Sequence, residues 1–287
     1  MLNILRKNGG LSLFLGACLL STNGIFVKIL AQHMPTTNIV AIRFIGAVTV
    51  LSVIARVLGK KISTKNIKVE IILGFLTGAT ILSYFTAIPS VGLSLSIVLL
   101  YTAPFFAAIM SWPLLSEKLE KKDIICILAS FAGILLIVKP GLSSDPMMFI
   151  ALLAGFFYGM KMVCNRFLGL RDSTWTMTFY ALLVPAIFSV GYIGFNFQSF
   201  PTPTLEEALL LGGLILIPTV AGFLLEHNGF KSISVSNGST IMMSEVLIAS
   251  LWGFLFFSET LDIQSLVGGA LVVISGVALN TNIKPNK

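Results

Sequence analysis

Charge is scarce in this sequence. Only 11% of its 287 residues are Asp, Glu, Lys or Arg, and 56% are apolar, where an ordinary soluble domain carries about 25% charged residues. Stretches such as Ile71 to Ala87, Ile124 to Val138 and Leu266 to Leu279 have no charge on any helical face, which excludes the amphipathic pattern of a water-soluble core. Cysteine is scarce too. Cys18, Cys126 and Cys164 are odd in number and lack metal-ligand spacing, so neither a disulfide framework nor a zinc site is indicated; they read as small apolar packing residues. The two histidines, His33 and His227, stand far apart, and there is no His-Glu-x-x-His, Gly-x-Ser-x-Gly or Gly-x-x-x-x-Gly-Lys-Ser/Thr sequence. An enzyme reading finds little support, no cofactor is implied, and ATP hydrolysis through a phosphate loop is excluded.

What is present is uncharged length. A hydrocarbon core of ~30 Å needs ~20 helical residues, and ten windows approach or reach it: Gly10 to Ala31, Thr36 to Leu58, Val69 to Ile88, Gly92 to Leu115, Asp123 to Lys139, Met147 to Phe167, Ser173 to Phe195, Leu209 to Phe230, Ser234 to Phe257 and Ile263 to Thr281. Continuous apolar runs of this kind exclude the alternating ~10-residue strands of a membrane β-barrel. The first window lacks an Ala-x-Ala-type cleavage site and reads as a helix rather than a signal peptide. The expected fold is an all-α integral membrane protein of ten transmembrane helices.

The net charge of +7 would suit a polyanionic partner, but its distribution argues for topology. Fifteen of the nineteen basic residues fall at the N-terminus, in alternate connections or at the C-terminus: Arg6, Lys7; Arg56, Lys60, Lys61, Lys65, Lys68; Lys118, Lys121, Lys122; Arg166, Arg171; Lys231; Lys284, Lys287. By the positive-inside rule both termini are expected on the cytoplasmic side of the cytoplasmic (inner) membrane, with no nucleic-acid role.

The chain also repeats itself. Leu114-Leu115-Ser116-Glu117-Lys118-Leu119 is echoed by Phe256-Phe257-Ser258-Glu259-Thr260-Leu261, and at the same offset of 142 Ser94 meets Ser236, Thr102 meets Ser244 and Ala107 meets Ala249. At an offset of 138, helix one (Gly16 to Lys28) meets helix six (Ala154 to Arg166), with Asn23 against Lys161. Two five-helix repeats are expected, residues 10–140 and 147–281. Five is odd, so the second copy enters the membrane from the opposite side. Inverted repeats of this kind enclose a midplane substrate site in secondary transporters.

These residues resemble the drug/metabolite transporter superfamily, in its EamA-type ten-helix branch. Asn23, Lys28, Pro35 and the Ala41-Ile42-Arg43-Phe44 stretch are similar to that family's motifs in the first two helices. Tyr101-Thr102-Ala103-Pro104 followed by Ser116-Glu117-Lys118-Leu119 is similar to its Pro-containing fourth helix ending in Gly-Glu-Arg-Leu, and Glu245 stands at the place of the usual Glu-Pro. This chain departs in having Ser116 and Ser258 for Gly, Val246 for Pro, and Ser21-Thr22 for Trp-Gly. The resemblance implies transport of small organic solutes across the bilayer without ATP. Coupling would be to protons or a counter-substrate. Import of an adenosyl metabolite such as S-adenosylmethionine is an alternative cargo, and a non-transporting membrane scaffold is the alternative of another class. A channel would need a continuous polar stripe that these sparse polar residues scarcely supply.

Ionisable groups in hydrocarbon cost at least ~2.5–3.5 kcal/mol and each calls for a reason. Glu245 lies near the middle of helix nine, Lys161 in the middle third of helix six, and Arg43 about 10 Å into helix two. Two readings stand. These groups line a polar cavity that receives a zwitterion, or Glu245 pairs with Lys161 or Arg43 and locks helices together. Asn23, Tyr84, Tyr101, Tyr158 and Trp175 complete the expected substrate-binding set. Pro104, which frees a backbone carbonyl, and Glu226 are the expected gating residues. Glu226, His227 and Asn228 also read as a solvated helix end. Glu117 and Glu259 read as helix-end bridges to backbone, and Val246 in place of proline predicts a straighter helix nine. Gly74-x-x-x-Gly78 and Gly155-x-x-x-Gly159 read as packing seams.

Overall fold

The structure, a computed structural model, describes residues 8–141, 145–196, 203–257 and 262–280. Arg6, Lys7, Ser258, Glu259, Thr281, Lys284 and Lys287 lie outside the described residues. Among those described, ten helical segments follow one another and no strand occurs: α1 Gly9–Leu30, α2 Thr36–Val57, α3 Ile67–Val91, α4 Leu93–Leu115, α5 Lys121–Val138, α6 Met148–Gly169, α7 Thr174–Asn196, α8 Leu205–Gly229, α9 Val235–Phe257 and α10 Ile263–Asn280. Eight are long and apolar enough to cross a membrane. The apolar part of α10 is shorter, and α5 opens on Lys121, Lys122 and Asp123.

Helix starts follow local hydrogen bonding. Asn8 caps α1 through Leu11 N at 3.1 Å. Thr204 and Glu207 form a reciprocal capping box, which places Glu206 and Glu207 inside the first turn of α8, four residues before the expected boundary at Leu209. Polar side chains at a helix start satisfy orphan N–H groups and favour the dipole, so hydropathy alone reads them as loop. Likewise α3 runs on through Pro89 to Val91, beyond the expected end at Ile88.

The packing carries the repeat. Major contacts join α3 to α6, α4 to α6 and α3 to α7; replacing each helix by the one five places away gives α8 with α1, α9 with α1 and α8 with α2, which are also in contact. The pairs α2 with α7, α4 with α9 and α5 with α10 map onto themselves. This is the pairing rule of two five-helix repeats related by a pseudo-two-fold axis, in inverted orientation because five is odd. Close approach on that axis needs glycine: a Cβ on Gly133 would stand 2.5 Å from Gly268 O, and one on Gly268 2.5 Å from Gly133 O. Both GxxxG seams lie within the fold. Gly155 and Gly159 of α6 face the α4 backbone at Leu99 O and Ala103 O, and Gly74 of α3 faces Tyr180 O of α7.

One apolar core runs through α1–α4 and α6–α9, with Leu13, Phe44, Leu73, Met162, Leu182 and Phe230 almost fully buried. The outward surface is also apolar, with Ile109, Trp112, Phe149, Phe188, Phe254 and Ile274 exposed. Apolar both inside and out is the condition of a helix bundle solvated by lipid.

Candidate functional site

Four helices are irregular near their middles, and the polar side chains gather there. α1 is interrupted at Thr22, α4 at Tyr101–Thr102 and α9 at Met243, while α8 is a π-helix over Ile215–Gly222. The α4 and α9 breaks coincide under the offset of 142. Pro104 sits in the first turn of the second half of α4, where its missing N–H costs least. The break in α9 occurs without a proline, so the expected straight helix nine is not found. In α8 the irregularity surrounds Pro218, and Thr219 Oγ1 donates to Leu214 O at 2.7 Å. π-Helical turns mark functional sites often enough to direct attention here, and discontinuous helices build the substrate sites of inverted-repeat transporters.

Arg43, buried on α2, donates from Nε to Thr219 Oγ1 at 2.8 Å and from NH1 to Asn23 Oδ1 at 2.9 Å. Both of these partners are neutral. Across the bundle, Tyr101 lies beside Glu245 and meets Tyr158 edge-to-face at 6.3 Å. Glu226, Lys161, Arg43 and Tyr84 lie within electrostatic range of Glu245, which forms no ion pair among the described residues. Part of its surface stays open although it lies deep in the bundle.

The second pair of charges is arranged differently. Lys161 Nζ stands 2.9 Å from each Glu226 oxygen, and Asn165 Nδ2 donates to Glu226 Oε1 at 3.0 Å. Lys161 is also 4.5 Å from the Phe223 ring centroid and 5.2 Å from that of Tyr158. Glu226 and His227 have no exposed surface, so this stretch of α8 is not a solvated helix end. His227 Nδ1 shares a 2.7 Å hydrogen bond with Thr178 Oγ1. The direct pairing of Glu245 with Lys161 or Arg43 is absent; Glu226 takes the lysine.

A third polar cluster closes one end. Arg166 donates to Glu117 Oε1 at 2.8 Å and to Lys231 O at 2.8 Å, and Glu117 Oε2 accepts from Val235 N at 2.7 Å. This fastens α4 and α6 to the α8–α9 turn, the backbone bridge expected of Glu117. The preceding Ser116 has φ 58°, the left-handed region that glycine occupies without penalty.

Of the expected residues, the fold thus brings Asn23, Arg43, Tyr84, Tyr101, Tyr158, Lys161, Glu226 and Glu245 into one region beside the breaks, with Pro104 next to it. Trp175 is not brought there. It sits in the first turn of α7 and packs against the apolar core. Thr219, Asn165 and Thr178 escaped sequence reasoning. Pro218 inside an otherwise unbroken apolar helix was the available signal for Thr219, since a proline frees the carbonyls around it; nothing marked the other two. Among the described residues no His, Cys, Asp and Glu cluster could hold a metal ion.

The profile of the EamA-like transporter family matches residues 7–139 and again residues 145–281. An uncharacterized transporter of Archaeoglobus fulgidus is 27% identical, over 95% of this chain and 96% of its own length. The pseudopaline exporter of Pseudomonas aeruginosa is 26% identical over 98% of both chains. The S-adenosylmethionine uptake transporter of Rickettsia bellii is 24% identical, over 88% of this chain and 86% of its own. A solved crystal structure superposes with a TM-score of 0.80 over 96% of this chain and 99% of that one, at 18% identity, a likeness of fold alone.

Proposed function

Because the chain belongs to the EamA-like transporter family and is a multi-pass membrane transporter, we propose that it carries a small zwitterionic metabolite, such as an amino acid, through a site between its two repeats. The observation that supports this reading is the contrast in charge. Lys161 and Glu226 compensate one another, whereas Arg43 bonds only to the neutral side chains of Asn23 and Thr219 and, among the described residues, neither it nor Glu245 forms an ion pair. An unpaired charge in a low-dielectric interior is costly. A ligand bringing a carboxylate to Arg43 and an ammonium to Glu245 removes both costs at once, and Arg suits the carboxylate because its planar fork matches two oxygens.

Alternating access follows from the repeats. The breaks in α1, α4 and α9 let each half-helix move against the site while the opposite half stays packed, so the two repeats rock about a shared centre. Pro104 and Glu226 act at this stage. Pro104 keeps α4 from closing its ladder, and Glu226 holds α8 to α6. The charge pattern orients both termini toward the cytoplasm at the inner membrane.

A second reading, uptake of an adenosyl metabolite such as S-adenosylmethionine, is favoured by the relative named for that activity and by Tyr84, Tyr101 and Tyr158, whose faces suit a cation or a purine ring. Both readings are tested together by counterflow in proteoliposomes with radiolabelled amino acids and radiolabelled S-adenosylmethionine. Saturable exchange that Glu245→Gln abolishes, with normal membrane expression, is the expected result. Uptake by Glu245→Gln equal to that of the unaltered protein would overturn the proposed site.

A further inference from the structure

A buried carboxyl group remains that the substrate site does not use. Glu70, in the first turn of α3, has no exposed surface, and neither of its carboxylate oxygens has a hydrogen-bond partner. Asp172 in the α6–α7 connection lies against the start of α3, bonded to Asn66 one turn before Glu70. Asp172 Oδ2 is itself occupied, accepting from Thr64 Oγ1 at 2.7 Å and from Asn66 Nδ2 at 3.1 Å. Around the pair, Thr176 Oγ1 shares a 2.8 Å hydrogen bond with Ser173 Oγ, and the Ser63 N–H donates to Thr176 Oγ1 at 3.3 Å.

Two neighbouring carboxylates, one of them wholly desolvated, cannot both carry charge without a cation between them. Among the described residues no basic side chain is seen to supply it. Lys65 and Lys68 are exposed, and Arg171 turns away to Phe167, donating to its carbonyl and stacking on its ring. The other titratable group near Glu70 is Cys164 of α6; the first turn of α7 offers the neutral Thr174, Trp175 and Thr176. Only two of the surrounding groups are carboxylates, and the neighbouring hydroxyls are already engaged, Thr64 with Asp172 and Ser173 with Thr176. That leaves little room for the six or more oxygens a metal ion takes. A single proton on Glu70, donated toward the free oxygen of Asp172, satisfies both groups.

We propose that Glu70 and Asp172 form a proton-binding site that clamps the start of α3 to the α6–α7 connection. α3 packs against both α6 and α7, so separating these helices would expose Glu70 and release its proton. Resting on the transport reading above, this makes the pair the site of proton coupling, separate from the substrate residues Arg43 and Glu245.

Infrared difference spectroscopy of the full-length protein in liposomes tests the site without any substrate. At neutral pH the unaltered protein should show a protonated-carboxyl C=O band that shifts on exchange into deuterium oxide and is missing in Glu70→Gln, which keeps the neutral shape. Glu245→Gln should leave that band in place. Asp172→Asn, whose amide can donate to Glu70, removes the need for the proton and should also abolish the band. A spectrum unchanged by Glu70→Gln would overturn the proposal. So would loss of the band on adding sodium at constant pH, which would instead identify a metal-cation site. Because the readout needs no transport, its failure is distinguishable from failure of the zwitterion reading.

Discussion

Lys161 and Glu226 meet at 2.9 Å and cancel; Arg43, equally buried, and Glu245, whose surface is partly open, do not meet, and Arg43 leans on Asn23 and Thr219 instead. The first arrangement resembles a structural fastening. Its hydrogen bonds are made between α6 and α8, and breaking it strands a charge. The second keeps opposite charges apart on separate elements, α2 in the first repeat and α9 in the second, at the points where helices are interrupted. What the difference teaches is that burial of charge does not by itself mark a binding site. On the proposed reading, the mark is a buried charge with no ion-pair partner among the described residues.

If that distinction holds, substitutions in the two regions should fail in different assays. The largest effect is expected from Glu245→Gln and Arg43→Gln. Each should weaken substrate exchange by about 30-fold or more, the equivalent of roughly 2–5 kcal/mol for one lost partner of a buried charge pair, with thermal stability in detergent nearly unchanged. Next is Glu226→Gln, which leaves Lys161 buried without a counter-charge and should cost roughly 3–5 kcal/mol of stability. The double change Lys161→Met with Glu226→Leu should recover most of that loss. A thermal-unfolding series of the three proteins reads this out, and a double variant no more stable than the single one would remove the distinction.

Smaller changes refine it. Pro104→Ala lets α4 restore the hydrogen bond to Leu100 O and should slow exchange several-fold while raising helix stability, given that proline costs about 3 kcal/mol in a helix interior and much less in a first turn. Thiol-probe accessibility and exchange rates that both match the unaltered protein would count against a gating role. Ser116→Gly is expected to act on stability alone. Ser116 holds a left-handed conformation beside Glu117, and relieving it should add roughly 1 kcal/mol without altering transport.

Much of the fold was legible because lipid imposes a simple rule. A span of twenty uncharged residues has few other uses, and the echo of Ser116-Glu117 in Ser258-Glu259 exposed the duplication directly. Asn23, Arg43, Lys161 and Glu245 were legible for the same reason, as polar residues where none is cheap. Partner choice was not. Which carboxylate Lys161 takes depends on how α6, α8 and α9 are rotated against one another, and no linear spacing encodes that. Glu226 seemed solvated because His227 and Asn228 follow it, whereas α8 continues past the polar triplet only to Gly229 and turns inward against α1 and α6. The break in α9 was missed because Val246 suggested regularity. There the chain is interrupted without a proline, and the Ser244 hydroxyl donates to the Ile241 carbonyl at 2.7 Å beside the break. Trp175 was drawn into the site by its chemistry alone, although the expected helix seven, Ser173 to Phe195, already puts it at a helix start.

The most direct test of the central claim uses three compounds of one carbon skeleton: an amino acid that the protein exchanges, its decarboxylated amine and its deaminated acid. The account predicts that the unaltered protein in liposomes exchanges the zwitterion far better than either single-charge analogue. It also predicts that Glu245→Gln selectively loses the advantage given by the ammonium, and Arg43→Gln that given by the carboxylate. Equal discrimination by all three proteins would contradict it.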